Sequence, residues 1–292
     1  MYENGKLGFK FVLPFILGLI FFQLAPFAIS FSLSFTEYDI ISPPIYIGTE
    51  NYTEMYYDPL FWKSMGVTVL FVILAVPARL VFALFIAHVL NFKLRGINFF
   101  RTAFYLPSVL GGSVAVAVLW RILFSQNGLV NSVLDFVGIG GVPWLGGEQY
   151  SLWTIVFLHL WQFGSAMVVF LAALQSVPTS LYEAALIDGA NRFQAFLRIT
   201  IPIITPVIFF NLIMQTINAF QEFNGPYLIT QGGPLRSTYL FSMFIYDQSF
   251  RMMNLGYGSA LSWVLFVIIA LVSGVAFWTS KYWVFYSGEK RS

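Results

Sequence analysis

Six long apolar runs divide this chain, and they limit it to one kind of architecture. They extend approximately over residues 11–31, 65–90, 103–124, 152–174, 203–223 and 255–278 of 292. A helix of about 20 apolar residues crosses the hydrocarbon core of a bilayer. The chain is 58% hydrophobic and 10% charged, whereas a soluble domain carries roughly 25% charged residues. It therefore reads as an all-α integral membrane protein, with little sequence left for a soluble domain. An aromatic share of 19% with eight Trp suits rings at lipid and interface depth. The first run shows no small-residue cleavage site, which predicts a retained span rather than a signal peptide. We expect a single transmembrane domain over residues 1–292, without internal repeats or low-complexity tracts.

Orientation follows from Lys and Arg, which gather on the cytoplasmic side. With the N-terminus inside, the inner segments hold ten: Lys6, Lys10, Lys93, Arg95, Arg101, Arg192, Arg198, Lys281, Lys290 and Arg291. The outer segments hold three, Lys63, Arg236 and Arg251, and Arg79 and Arg121 lie within spans. Both termini are therefore expected in the cytoplasm. The outer loops are residues 32–62, acidic with a short helix expected near Thr53; residues 125–150, rich in Gly with Pro143-Trp144-Leu145; and residues 224–254, with Gly232-Gly233-Pro234.

The inner loop from Pro178 to Pro206 carries Glu183, Asp188, Arg192 and Arg198 and must face water. Pro178 suits the position at or just before a helix start. Ser180 with Glu183 has the spacing of a capping box, and Gly189 is placed to end the helix with a positive φ. Asn191 with Gln194 predicts the start of a second helix, which leads through Pro202 into the fifth span. Asp188 is badly placed at the carbonyl end of its own helix, and could pair with Arg192 or sit near the second helix start.

This loop resembles the EAA loop of ABC importer permeases. The motif reads Glu183-Ala184-Ala185, Asp188-Gly189-Ala190, then Ile199, Ile201 and Pro202, with Ile where the family usually has Leu. The resemblance to permeases of carbohydrate uptake (maltose-type, binding-protein-dependent) extends over nearly the whole chain. It is carried by Leu13-Pro14 with Pro26, Ser34-Phe35-Thr36, Gly48-x-x-Asn51-Tyr52, Leu94-Arg95-Gly96 with Phe99-Phe100-Arg101, Leu106-Pro107, Leu119-Trp120-Arg121, Leu174-Gln175-Ser176-Val177-Pro178 and Gly232-Gly233-Pro234. It implies the MetI-like (type I) transmembrane domain of six helices, residing in a bacterial inner membrane. It also implies a second homologous permease, an ATPase dimer and an extracytoplasmic solute-binding protein as partners. Loop 178–202 would be the coupling helix that sits in the ATPase, through Glu183, Ala184, Ala185, Asp188, Gly189, Ala190, Arg192 and Pro202.

On the fifth run Asn211, Gln215, Asn218 and Glu222 are spaced by four, three and four and share a helical face. The fourth run offers Trp161 and Gln162, with His159 and Ser165. Polar groups inside a membrane turn toward protein or a water-filled path, and amides both donate to and accept from hydroxyls. These residues line a solute path or tie helices together. By resemblance, substrate-contacting positions fall near Trp161, Gln162, Gln215, Asn218 and Glu222. Glu222 could accept from hydroxyls or read an amine-bearing sugar derivative. Arg79, after Pro77, is expected to form an interhelical pair, and Arg121 to snorkel.

No catalytic constellation is visible. There are no cysteines, which excludes thiol chemistry. The chain lacks a phosphate-binding Gly-rich loop, so ATP and Mg²⁺ are expected on partner ATPases, with no cofactor of its own. His88 and His159 lack metal-ligand spacing, and a net charge of +2 does not suggest nucleic acid. The sequence thus predicts a non-catalytic permease subunit for a sugar, an oligosaccharide or a derivative. A permease for glycerol phosphate or a polyol is the nearest alternative. An ion-coupled secondary transporter would need more intramembrane carboxylates than Glu222 alone.

Overall fold

A computed structural model describes residues 5–92 and 95–285. Lys93, Leu94, Lys290 and Arg291, which entered the charge count or the family stretches, lie outside the described residues. Among the described residues four helices are long and apolar enough to cross a membrane: α1 (Phe9–Leu33), with α3 (Pro59–Leu90), α10 (Arg192–Ile229) and α12 (Leu255–Trp283). Between these lie α2 (Glu50–Tyr57), α4 (Ile97–Leu110), α5 (Val114–Leu123), α6 (Leu129–Phe136), α7 (Ser151–Trp161), α8 (Gly164–Ser176) and α9 (Thr179–Ile187), with α11 (Phe241–Tyr246) before α12. The number of spans is six if α4 with α5, and α7 with α8, each count as one.

The third and fourth of the six expected spans are each built from two helices. The α4–α5 pair is bent by 100° and the α7–α8 pair by 43°. At the first break Gly111 and Gly112 end α4, and the Ser113 side chain accepts from the Val116 N–H at 3.3 Å, capping a new helix. At the second break the Gln162 carbonyl leaves the helical ladder. Ser108 of α4 mends the gap: its hydroxyl donates to the Gln162 carbonyl at 2.9 Å and accepts from the Ser165 N–H at 3.0 Å. Such a break at membrane depth is tolerated where protein re-satisfies the freed groups. The close crossing requires Gly164, because a Cβ there would lie 2.7 Å from the Phe104 carbonyl.

The chain divides into two compact units. One comprises residues 1–61 and 244–268, the other residues 62–243 and 269–292. In the first, a two-stranded antiparallel ribbon pairs β1 (Thr36–Glu37) with β2 (Ile45–Tyr46). Two of the family stretches meet beside it. Buried Asn51 of α2 donates to the carbonyls of Ser34 at 2.9 Å and Thr36 at 3.0 Å, and the Tyr52 hydroxyl donates to Ser34 Oγ at 2.8 Å. The short helix expected near Thr53 is α2. Trp263 packs its ring on Phe27 and Phe31.

In the second unit the loop after α5 is organised by Asn131. Its amide donates to the Gln126 and Val142 carbonyls, and its oxygen accepts from the Trp144 indole at 2.9 Å. The turn around Gly232-Gly233-Pro234 is tied down. The Thr238 hydroxyl reaches the Gly233 carbonyl at 3.0 Å and the Thr230 hydroxyl at 2.6 Å. The segment after α12 is fastened to the base of α10, where the Phe285 N–H donates to Thr205 Oγ1 at 2.8 Å and Phe209 packs edge-on against Phe277.

Candidate functional site: an elbow and a polar cavity joined by one helix

The loop between α8 and α10 forms a rigid elbow. α9 begins at Thr179, with Pro178 in extended conformation as its N-cap. The expected Ser180–Glu183 capping box does not form. Ser180 lies inside the first turn, where its hydroxyl cannot replace the cap, and no side-chain cap bond is made. The far end matches the expectation. Gly189 has φ of +77°. The Gly189 N–H donates to the Leu186 carbonyl at 3.1 Å and the Ala190 N–H to the Ala185 carbonyl at 2.9 Å. These two bonds are a Schellman closure. The next residue opens α10 with a complete capping box: the Gln194 N–H donates to Asn191 Oδ1 at 2.8 Å, and the Asn191 N–H to Gln194 Oε1 at 3.0 Å. A closure and a cap in immediate succession leave the turn almost no alternative geometry.

Asp188 caps the carbonyl end of α9, and no ion pair joins it to Arg192 among the described residues. Glu183, Ala184, Asp188, Gly189 and Arg192 are exposed, Ala190 and Pro202 are half-buried, and Ala185 is buried. Leu186 and Ile187 are 75% and 87% exposed. They form an apolar tip flanked by Asp188 and Arg192.

α10 starts at Arg192, not near residue 203, and rises from the elbow into the apolar region. It contains a wide turn at Phe196–Thr200 and is interrupted at residues 221–223. At this upper end lies a cavity of about 350 Å³, lined by Arg79, His159, Gln162, Asn218, Gln221 and Glu222, with Phe223 and Asn224. Three helices supply these groups: α3, α7 with the residue after it, and α10.

Arg79 is buried and holds the elements together. Its Nη1 donates to His159 Nε2 at 3.1 Å, and its Nη2 to the Gln162 carbonyl and to Ser165 Oγ. A guanidinium has only donors, so His159 accepts at Nε2 and carries its proton on Nδ1. That nitrogen lies 3.9 Å from Glu222 Oε2. The other carboxylate oxygen, Oε1, accepts from the Gly225 N–H at 2.9 Å, and the Ser242 hydroxyl donates to the Glu222 carbonyl. The interhelical role expected of Arg79 is thus present, and the same residue also walls the cavity.

Of the residues singled out in the sequence, Gln162, Asn218 and Glu222 meet at the cavity. Gln162 also donates its amide to the Gly111 carbonyl at 3.2 Å and packs on that glycine, where a Cβ would overlap its side chain. Trp161 does not line the cavity; it packs against Trp120, with centroids 5.6 Å apart. Asn211 donates to the Val207 carbonyl of its own helix at 3.2 Å. Gln215 is buried lower on the helix, and its Oε1 has no hydrogen-bond partner. Gln221 and Asn224 escaped the sequence reading. They lie at and beyond the interruption in α10, outside the four-three-four spacing.

A polytopic helical protein with a polar cavity between its helices and a structured polar elbow is built as a transmembrane transport component. Residues 13–282 match the family described as binding-protein-dependent transport system inner membrane component. The chain belongs to that family. It is 47% identical over 292 residues to the probable ABC transporter permease protein YesP of Bacillus subtilis, covering 99% of this chain and 94% of the relative. It is 36% identical to the lactose transport system permease protein LacF of Rhizobium radiobacter, covering 94% of each. With the trehalose/maltose transport system permease protein MalF of Thermococcus litoralis it shares 32% identity, over 92% of this chain and 91% of that one. Among solved structures, its fold is similar to that of a bacterial alginate ABC transporter in complex with an alginate pentasaccharide-bound periplasmic protein. The TM-score there is 0.81 at 22% identity, covering 96% of this chain and 95% of the other.

Proposed function

We propose that this inner-membrane component passes a sugar, oligosaccharide or sugar derivative through the cavity at Glu222, driven by ATPase subunits that grip the elbow at Gly189. The observation that carries this is the continuity of α10 from the capped elbow at Arg192 to Asn218 at the polar cavity, with Glu222 in the interruption just beyond. A displacement delivered to the regular part of that helix, from Ile201 to Phe220, reaches its cavity end. The relatives named for lactose and for trehalose and maltose support a carbohydrate as the solute. The cavity chemistry agrees: primary amides and a carboxylate together both donate to and accept from hydroxyls.

In this reading the elbow and both termini are cytoplasmic, as the distribution of Lys and Arg predicts. A loaded solute-binding protein docks on the outer loops of this chain and a second permease. ATP and Mg²⁺ bind the ATPase pair, whose closure moves α9. α10 follows, and the cavity turns outward, takes the solute and reopens inward after hydrolysis. This chain performs no bond chemistry; it binds solute and transmits motion. Trp161 and Gln215 stand outside the cavity in this conformation, and they join the path only if α10 shifts or turns.

The test is reconstitution of the complete importer in proteoliposomes with its binding protein. ATP turnover and uptake are screened against neutral sugars, oligosaccharides, sugar derivatives, a polyol and glycerol phosphate. Stimulation by a carbohydrate supports the reading. Stimulation by the polyol or glycerol phosphate alone replaces the solute, and uptake without the ATPase subunits overturns the mechanism.

A further inference from the structure

Between the elbow and the base of the transmembrane helices, the coupling segment does not pack tightly. A cavity of about 310 Å³ separates them, with His88, Tyr182, Leu186, Arg192, Phe196 and Thr200 among its walls. Discrete contacts bridge that gap. The Tyr182 hydroxyl, on α9, lies 2.7 Å from Thr200 Oγ1 at the last residue of the wide turn in α10. Thr200 is 2% exposed. At the other end of the same turn the Phe196 ring packs on the His88 imidazole of α3, with centroids 4.6 Å apart. The wide turn Phe196–Thr200 is thus held at both ends, by α9 above it in sequence and by α3.

Two physical facts make this arrangement consequential. A wide turn of the i→i+5 type is a local irregularity, frequent at functional sites and one of the few places where helices kink. A force applied to α9 therefore reaches α10 poorly if it must travel round the elbow and through that soft turn. A tie from α9 to Thr200 bypasses the soft turn and delivers the displacement directly to the regular helix beginning at Ile201. Interior packing would serve the same purpose, but here a cavity stands where packing would be.

We infer that the Tyr182–Thr200 hydrogen bond is a mechanical tie of the transport cycle, carrying the motion of α9 past the soft turn into α10. Tyr182 and Thr200 are positioning residues; neither need touch ATPase or solute. The inference rests on the reading of α9 as the segment driven by the ATPase. It predicts that loss of the tie lets part of each ATPase stroke dissipate in the turn. Solute moved per ATP should fall, and stimulated ATP turnover should fall less than uptake does.

The experiment measures both quantities in proteoliposomes of the complete importer, with and without loaded binding protein. The variants are Tyr182→Phe, Thr200→Val, their double and Thr200→Ser. Tyr182→Phe and Thr200→Val keep the shape and remove the bond, and each should lower solute moved per ATP about fivefold, the scale of one hydrogen bond. The double variant should be no worse than either single, because both remove one interaction. Thr200→Ser restores the hydroxyl and should recover coupling. Unchanged solute per ATP in both singles, additive losses in the double, or failure of Thr200→Ser to recover coupling in an assembled complex would each overturn the inference. Gly189→Val is measured in parallel and separates the two levels. If it transports normally, α9 is not the driven segment and the underlying reading fails, whatever Tyr182→Phe does.

Discussion

Gly189 allows coupling to be tested by backbone preference alone. Its φ is +77° and nothing lies within 4 Å of where a Cβ would project. A substitution therefore meets no neighbour, and its cost is conformational. For an L-residue the left-handed region costs about 1–2 kcal/mol, and Asn tolerates it better than Ala. A β-branched side chain is worse still. The cost falls on the two Schellman bonds, whose loss frees α9 from its fixed angle to α10. At 1.4 kcal/mol per decade, Ala should depopulate the bent elbow about fivefold and Val tenfold or more, while Asn stays within about twofold of wild type. Uptake by the reconstituted importer, normalised to the amount of assembled complex, should follow the order Gly, Asn, Ala, Val. Side-chain volume gives a different order, since Asn is larger than Ala. Loss that follows volume, or a Gly189→Val protein that transports normally, would refute the role of the elbow.

Two further outcomes follow from the cavity. Glu222→Gln keeps the size of the side chain and an acceptor for the Gly225 N–H but removes the charge. It should raise the solute concentration needed for half-maximal uptake roughly tenfold or more, as expected for a hydrogen bond to a charged group. Asn211→Ala, whose amide is spent on its own helix, should change the same quantity less than about twofold. At the neighbouring break, Gly111→Ala should lower the yield of folded protein, because the new methyl overlaps the Gln162 side chain. Gln162→Ala in the same chain should restore that yield, though not transport, and failure to restore it would show that the glycine is required for another reason.

The elbow was the most legible part of the sequence because its signals are local. A glycine past a helix end and an Asn three residues before a Gln act within one turn, and both formed as read. Ser180 with Glu183 has the right spacing for a capping box but the wrong register, since the helix starts at Thr179, two residues earlier than a Ser180 cap requires. The polar stripe was legible in part. Periodicity brought Asn218 and Glu222 to one face, but it could not foresee that α10 is interrupted at residues 221–223 and so adds Gln221 and Asn224. The bends were hidden beneath hydropathy. Gly111-Gly112-Ser113 is a stop followed by a cap, yet its apolar surroundings read as one span. The break at Gln162 carries no local signal, because what permits it is tertiary: Arg79 and Ser108, 83 and 54 residues away in sequence, take up the freed carbonyl.

Coupling through the elbow is tested most directly by a single reactive side chain at its tip. The chain has no cysteine, so Ile187→Cys, 87% exposed in the wild-type chain, provides one labelled site without background. In vesicles bearing the complete importer, a short reagent that is thiol-reactive at one end and photoactivatable at the other should join Ile187→Cys to an ATPase subunit, with a yield that changes between the nucleotide-free and ATP-bound states. A membrane-impermeant thiol reagent added outside intact cells should leave it unlabelled. Labelling from outside, or absence of any crosslink to the ATPase in both nucleotide states, would contradict it.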